Sequence, residues 1–425
     1  MKNNSLLVGR DMDSNKKVFL KDESRKFNTL IVGGVGTGIP AMLHIPMLKQ
    51  DMEQKKHGIT VFDTKGDIAK IAYVFAKSNR RNVVYFNPYF KNVKFNPLKG
   101  EEDFVINLMK KIVRRVLICS PQFFLDLHEL VLEFSIKILN KIFDNHITLQ
   151  ELSDFVNNAN KKGEELFDVY CSLEDADKFT VMYMGKYFEK DSKTFDHNSG
   201  LRIMLSRLTS NSKVSHIFNT KEEGEFEEID FVKHLKSREV VIFNLEGYTL
   251  DKNIARMLPQ LISGVYTQAC INNKRKKGKN NNNLYIKDLN IWMSGFDDFF
   301  SINRAMDVSV IADVQCLSLL KMDIPEYEHY LIANFKNFIL MPCLNTHDIK
   351  AFKEYFLMDD EIPILYLLEH GEFFFYHFND EVPGFIEKRH CKGSYLSKEE
   401  NEFLNKRWKR YEKEFEKLEK GIARS

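Results

Sequence analysis

No uninterrupted apolar run in this sequence approaches the roughly 18 to 20 residues that a membrane-spanning helix needs. The N-terminus, MKNNSLLVGRDMD, has neither a long apolar segment after its basic residue nor a small-residue cleavage site, so a secretory leader is not expected. These absences predict a cytoplasmic chain without a transmembrane segment, and leave open peripheral attachment at the inner face of a membrane. Cysteine is sparse: Cys119, Cys171, Cys270, Cys316, Cys343 and Cys391 are scattered, with no C-x-x-C pair and no clustered histidine. That spacing excludes a zinc ribbon or a disulfide framework and predicts buried, reduced thiols and no metal site. A net charge of +2 is too small to point to nucleic acid by itself. With 29% charged and 44% hydrophobic residues, the 425-residue chain sits near the globular average and has ample length for two or three domains.

What is present begins at Leu30–Ala41, LIVGGVGTGIPA. A phosphate-binding loop reads as an apolar strand, then G-x-x-x-x-G-K-[S/T], then a helix, because backbone N–H groups and a helix N-terminus wrap a phosphate chain together. Gly33 and Gly38 keep the spacing, Thr29–Val32 supplies the strand, and Gly34, Gly36 and Thr37 fill a small flexible turn. The ending differs. Ile39 stands where a lysine reaches the β- and γ-phosphates, and Pro40 where a hydroxyl holds the metal. Pro40 also lacks an N–H, although its ring suits a helix's first turn.

Residues 1–100 alternate strand and helix text, as parallel β-α units do. Gly58–Phe62 and Asn82–Phe86 read as further strands, with a helix over Ala41–Glu53 between the first two. From Glu102 to Lys221 the text turns helical. Apolar positions 105, 108, 109, 112 and 116, then 124, 127, 131, 134 and 138, keep three-four spacing. Leu149–Ala159 and Gly200–Leu208 add helices, and Glu189–Ser199 reads as a polar loop. Strand text resumes at Val240–Phe243, followed by a helix over Lys252–Asn272. Lys274–Asn283, KRKKGKNNNN, reads as a solvated, disordered connection, with a nucleic-acid contact as the alternative. Leu289–Met293, Val308–Ala312 and Asn337–Met341 are buried-strand candidates, and Gly371–Phe378 would close a hairpin near the C-terminal edge. From Ser397, a capping box with Glu400 opens a helix carrying Leu404, Trp408, Tyr411, Phe415 and Leu418 in one stripe, expected to pack on this chain's own core rather than on a partner.

A phosphate loop of this kind works with an apolar strand that ends in acidic residues, one holding Mg2+ and a neighbour activating water. The candidate is IWMSGFDDFF, with Asn290–Met293 as the strand. Ser294 and Gly295 then occupy the two acidic positions, and Asp297 and Asp298 follow too late to serve without folding back. With lysine, hydroxyl and both carboxylates missing, ATP hydrolysis by the usual route is not expected. Lys65, in DTKGD after the second strand, is the candidate compensating residue, because ligands sit at strand C-termini in α/β sheets. Gln315 is a candidate sensor, with a buried hydrogen-bonding role as the alternative. Trp292 and Phe296 read as core.

In this order the motifs resemble the conjugative coupling ATPases of type IV secretion, the TraG/TraD type, over most of residues 5–380. The resemblance rests on LLVGRDMDSNKKVFL, NTLIVGGVGTG, ITVFDTKGDIAKIA with Thr64 for the family's proline, VVYFNP, FNPL, VVIFNLEGY, IWMSGFDDFF and VSVIADVQCLSLLKM, where Gln315 matches the family's first glutamine and Leu319 stands for the second. It implies an α/β fold: a RecA-like P-loop NTPase core with a largely parallel sheet at 1–100 and 231–390 and an inserted all-α domain at 101–230, to which the capping box and stripe add a C-terminal charged amphipathic helix at 391–425. Family members are hexameric, DNA-associated motors at the inner membrane. The resemblance therefore implies as partners the other subunits of a ring, either its own copies or an active paralogue, together with DNA and relaxosome or secretion-channel proteins. Ile39–Pro40, Ser294–Gly295 and the missing N-terminal anchor depart from that pattern. The expected function is a coupling-protein-like pseudo-ATPase in substrate recognition or assembly. The alternatives are a DNA-translocating motor with atypical nucleotide binding, or a regulatory interaction protein of a mobile element or phage. No cofactor is expected, and ATP with Mg2+ only if a residual site persists. The glycine loop is then either a structural turn without a ligand or a vestigial site that still attracts an anion.

Overall fold

The computed structural model describes residues 5–91, 93–218, 226–246, 250–296, 299–321, 327–342, 345–356, 368–378 and 386–419. Its strands are β1 (Leu6–Asp11), β2 (Lys17–Leu20), β3 (Thr29–Val32), β4 (Gly58–Asp63), β5 (Val83–Phe86), β6 (Val93–Lys94), β7 (Glu227–Glu228), β8 (Val240–Asn244), β9 (Asn282–Ile286), β10 (Val308–Val314), β11 (Asn337–Leu340), β12 (Glu372–Phe378) and β13 (Ile386–Lys392). The chain divides into two compact units. One comprises Met1–Asn87, Phe231–Tyr248 and Ala269–Phe415; the other comprises Pro88–Asp230, Thr249–Gln268 and Glu416–Ser425.

The first unit is built on an eleven-stranded sheet in the order β2-β1-β13-β12-β11-β3-β10-β9-β4-β8-β5. From β11 to β5 every neighbouring pair is parallel, and from β12 to β2 every pair is antiparallel. Strands β3, β4, β8 and β9 are buried at every position, as expected of parallel strands covered on both faces. The register sets Val32 level with Val314 and Leu340, so the loops that follow β3, β10 and β11 leave the same sheet edge. Loops at that edge form the crevice in which α/β folds place their ligands.

Aromatic residues weld the sheet to its helices. Trp292 stacks on Phe62 at 4.5 Å between centroids, and Phe62 meets Phe243 at 5.3 Å. Such pairs add about 0.5–1.5 kcal/mol beyond the area they bury. The helix Lys398–Glu419 opens with the expected capping box: Ser397 N–H donates to Glu400 at 2.7 Å, and Glu400 N–H to the Ser397 hydroxyl at 3.1 Å. Its Phe415 stacks on Tyr85 at 4.8 Å and Tyr411 meets Tyr73 at 5.1 Å, so the apolar stripe covers this chain's own sheet. The second unit contains the helices Glu102–Val116, Gln122–Ile142, Leu149–Val156, Lys162–Cys171, Lys178–Phe188 and Ser199–Thr209. Val105, Leu108, Met109 and Ile112 are buried in it, as their spacing predicts. A two-residue parallel ladder joins β6 and β7.

Several sequence expectations need correction. Leu289–Met293 is no strand: Leu289–Phe296 is a helix, because a short apolar run carries no period that tells strand from buried helix. The strand of that region is β9, which begins inside the asparagine run. There Asn280 donates to the carbonyls of Cys270 (3.2 Å) and Met306 (2.8 Å), and Asn283 donates to Asp51 at 3.1 Å. KRKKGKNNNN is therefore a helix end and a strand start joined by a short turn, rather than a solvated linker. Glu189–Ser199 contains the helix Lys193–His197, capped by the Ser192 hydroxyl. The hairpin β12–β13 is interior to the sheet, since β1 and β2 continue beyond it. Cys119 and Cys171 are exposed free thiols, whereas Cys270 and Cys391 are buried; Cys343 lies outside the described residues. Among the described residues no helix is long and apolar enough to cross a membrane, and no group of acidic, histidine or cysteine side chains is placed to hold a metal ion.

Candidate functional site

The strand, turn and helix of the glycine loop form as the spacing predicts. β3 ends at Val32, the turn runs through Gly33–Ile39, and Pro40 starts one turn of π-helix, Pro40–His44, that continues as the α-helix Ile45–Gln54. Gly36 and Gly38 carry φ of +85° and +82°, a backbone region that other L-residues adopt at a cost. The Thr37 hydroxyl donates to the Gly34 carbonyl at 2.8 Å and so spends itself closing the turn. Ile39 and Pro40 stand at the mouth of the helix, and Ile39 is buried.

The loop faces a small cleft of about 170 Å³, lined also by Lys65, Asp67, Lys287, Asp288, Asp313, Val314 and Gln315. That volume is below the roughly 300 Å³ at the lower end of small-ligand pockets. Two lysines there face three aspartates. Roomier hollows, about 610 and 620 Å³, belong to the helical unit; they are open grooves with no comparable convergence of loop, strand ends and charge.

Strand ends position Asp313, Lys287 and Asp288 in the cleft. β10 delivers Asp313, whose Oδ2 lies 3.3 Å from Lys287 Nζ and 3.4 Å from His44 Nε2, while Oδ1 accepts the Asp288 N–H at 2.5 Å. Burial pushes the Asp313 carboxyl up, but the His44 imidazole, the Lys287 ammonium and the Asp288 N–H outweigh it and hold it at about 2. Just past β9, Lys287 and Asp288 form the turn into the next helix. Asp288 takes φ +56°, which aspartate tolerates better than most residues, and Trp292 Nε1 donates to the Lys287 carbonyl at 3.1 Å. Burial pulls the Lys287 ammonium down; Asp313 and Asp288 overcome that and leave it raised. Asp288 Oδ2 accepts the Thr64 hydroxyl at 2.6 Å, and its Oδ1 accepts Lys65 at 3.2 Å.

Lys65, the expected compensating residue, is therefore in the cleft but paired with Asp288. Its turn is held by Asp63, which accepts backbone N–H groups of Lys65, Gly66, Ile68 and Ala69 at 2.8–3.0 Å. This carboxyl is a cap for the helix Ala69–Ser78. Burial nevertheless raises it, against those four donors. Gln315 lines the cleft. Ser294 and Gly295 do not: both are buried in the helix Leu289–Phe296, beyond the strand end, and the cleft is lined at that place by Lys287 and Asp288. Asp297 and Asp298 lie outside the described residues. The sequence reading missed His44, Asp67, Lys287, Asp288 and Asp313. The signal was an apolar strand closing on a charged pair, LYIKD, hidden by the polar residues before it.

A glycine turn between a buried strand and a helix, with acidic ends of adjacent parallel strands beside it, defines a P-loop NTPase-type core. Solved structures narrow the class. The chain has the fold of VirB4 from Thermoanaerobacter pseudethanolicus, with a TM-score of 0.64 and 14% identity over 93% of this chain and 98% of that one. It has equally the fold of the plasmid coupling protein TrwB. TrwB in complex with ADP and Mg2+ gives a TM-score of 0.62 and 15% identity over 89% of this chain and 88% of that one. With a non-hydrolysable GTP analogue TrwB gives 0.63 and 14% over 93% and 96%. No protein-family model matches the chain, and no curated protein matches it.

Proposed function

We propose that this chain is a coupling-protein-like component of a conjugative DNA-transfer or type IV secretion apparatus, and that it works there as a pseudo-ATPase. Its P-loop core serves recognition or assembly, in a ring of its own copies or mixed with an active relative, with DNA, relaxosome or channel proteins as its partners. The fold likeness to TrwB and VirB4 supports the choice of system.

The observation that carries the loss of hydrolysis is the ammonium of Lys287 on the carboxylates of Asp313 and Asp288. The donor set does not fit a magnesium nucleotide. Ile39 and Pro40 supply neither the phosphate-binding cation nor the metal-binding hydroxyl, and the cleft's two lysines are engaged by aspartates. The turn keeps its backbone shape, which is why the fold survives the loss. Lys65 is what favours the second reading, a motor with atypical nucleotide binding, because this half-exposed cation of the cleft can swing toward an anion by giving up Asp288.

Phosphate release from Mg-ATP tests the proposal, measured with and without single-stranded DNA on the chain and on Gly38→Val. Equal background rates for both are expected. Turnover well above background that Gly38→Val abolishes would overturn the pseudo-ATPase reading and restore the motor.

A further inference from the structure

A divalent ion beside a P-loop needs carboxylate oxygens with lone pairs turned toward it at about 2.0–2.1 Å for Mg2+. The four carboxylate oxygens of Asp288 and Asp313 all face protein donors instead. Asp313 Oδ1 receives the Asp288 N–H, and Asp313 Oδ2 accepts Lys287, with His44 Nε2 3.4 Å away. Asp288 Oδ1 receives Lys65 and Oδ2 receives Thr64. Lys287 Nζ lies 3.3 Å from Asp313 and 4.0 Å from Asp288, between the two strand ends.

We infer that Lys287 is the resident cation of this site: tethered to the end of β9, its ammonium occupies the place a divalent ion would take between Asp288 and Asp313, and so keeps such ions out. The inference deepens the pseudo-ATPase reading of the same cleft. Two buried carboxylates beside the same ammonium are compensated by it, and without that positive charge they would be left as unpaired buried charges, which is strongly unfavourable. Lysine supplies that charge as a compact ammonium on a flexible stem, which the hydrogen bond from Trp292 to its own carbonyl aims from a fixed backbone. Binding of a metal would have to expel the ammonium from its partners. The site is thereby neutralised from within, independently of any ligand.

Removing the tethered charge should open the site to a metal alone. Mn2+ is the probe, titrated without nucleotide into the full chain while free Mn2+ is followed by electron paramagnetic resonance. Wild type is expected to take up no Mn2+ that depends on Asp313. Lys287→Gln is expected to gain uptake of about one ion per chain, with a melting temperature that rises with Mn2+ as a ligand binding only the folded state requires. Asp313→Asn added to Lys287→Gln should abolish both. A Lys287→Gln chain that folds, as its tryptophan fluorescence would show, and gains no uptake overturns the inference. So does uptake by wild type that Asp313→Asn removes, and that comparison decides the matter alone if Lys287→Gln does not fold. The titration contains no ATP, so its failure is separate from any finding of hydrolysis.

Discussion

Replacing Asp313 by asparagine keeps the shape of the side chain and removes the charge that Lys287 and His44 face. Asp313 is held at about 2, against an ordinary value of 3.8. At about 1.4 kcal/mol per pH unit this difference contributes roughly 2–3 kcal/mol to stability at neutral pH. The sign follows from the direction. A carboxyl depressed in the folded state adds stability that is complete above its unfolded value, near 4, and disappears as the pH falls toward 2. Asp313→Asn should therefore lower stability by about 2–3 kcal/mol from pH 7 down to about pH 4.5, and by about half that at pH 3. Urea unfolding at a series of pH values measures it. Trp292 and Trp408 are the chain's two tryptophans and both belong to the sheet unit, so fluorescence reports the part of the molecule that holds the site. A penalty below about 0.5 kcal/mol at pH 7, or one that stays constant down to pH 3, would refute the ion-pair account of Asp313.

Other consequences are equally direct. Arg25 meets Asp51 in a buried bidentate pair at 2.7 and 2.9 Å, with Tyr285 and Asn283 on the same carboxylate, so Arg25→Met should cost about 3–5 kcal/mol by urea unfolding. Gly36→Ala meets nothing within 4 Å and should cost only the roughly 1–2 kcal/mol of its left-handed backbone. Gly33→Ala would set a methyl 2.4 Å from Met341 Cβ, and should lower the melting temperature through a displaced strand end even though its φ is ordinary. Brief iodoacetamide treatment of the folded chain, read by mass spectrometry, should label Cys119 and Cys171 but not Cys270 or Cys391; burial pushes the Cys391 thiol up to about 12.

How much of this was readable from residues alone differs between the frame and the site. β3, β4, β5, β8, β10 and β11 announce themselves because parallel strands buried on both faces are continuous apolar runs between turn residues. Ile39 and Pro40 are equally plain, since a fixed motif makes a missing lysine visible. The partner strand was not. β9 begins with two buried asparagines, Asn282 and Asn283, the second of which satisfies its amide on Asp51 and Ser309, so polar text conceals a central strand and the apolar helix after it takes its place. With the strand read one element too late, the acidic positions fall on Ser294 and Gly295 instead of Lys287 and Asp288. His44 and Asp313 carry no local signal at all: they lie far apart in sequence and acquire a joint meaning only when β3 and β10 pair.

A pseudo-ATPase core requires that the cleft no longer take a magnesium nucleotide. Calorimetric titration of the chain with ATP, with and without Mg2+, and of Ile39→Lys/Pro40→Thr in parallel, asks this directly. The account predicts no saturable Mg2+-dependent heat for the wild type. Saturable binding of ATP by the wild type that requires Mg2+ would contradict it.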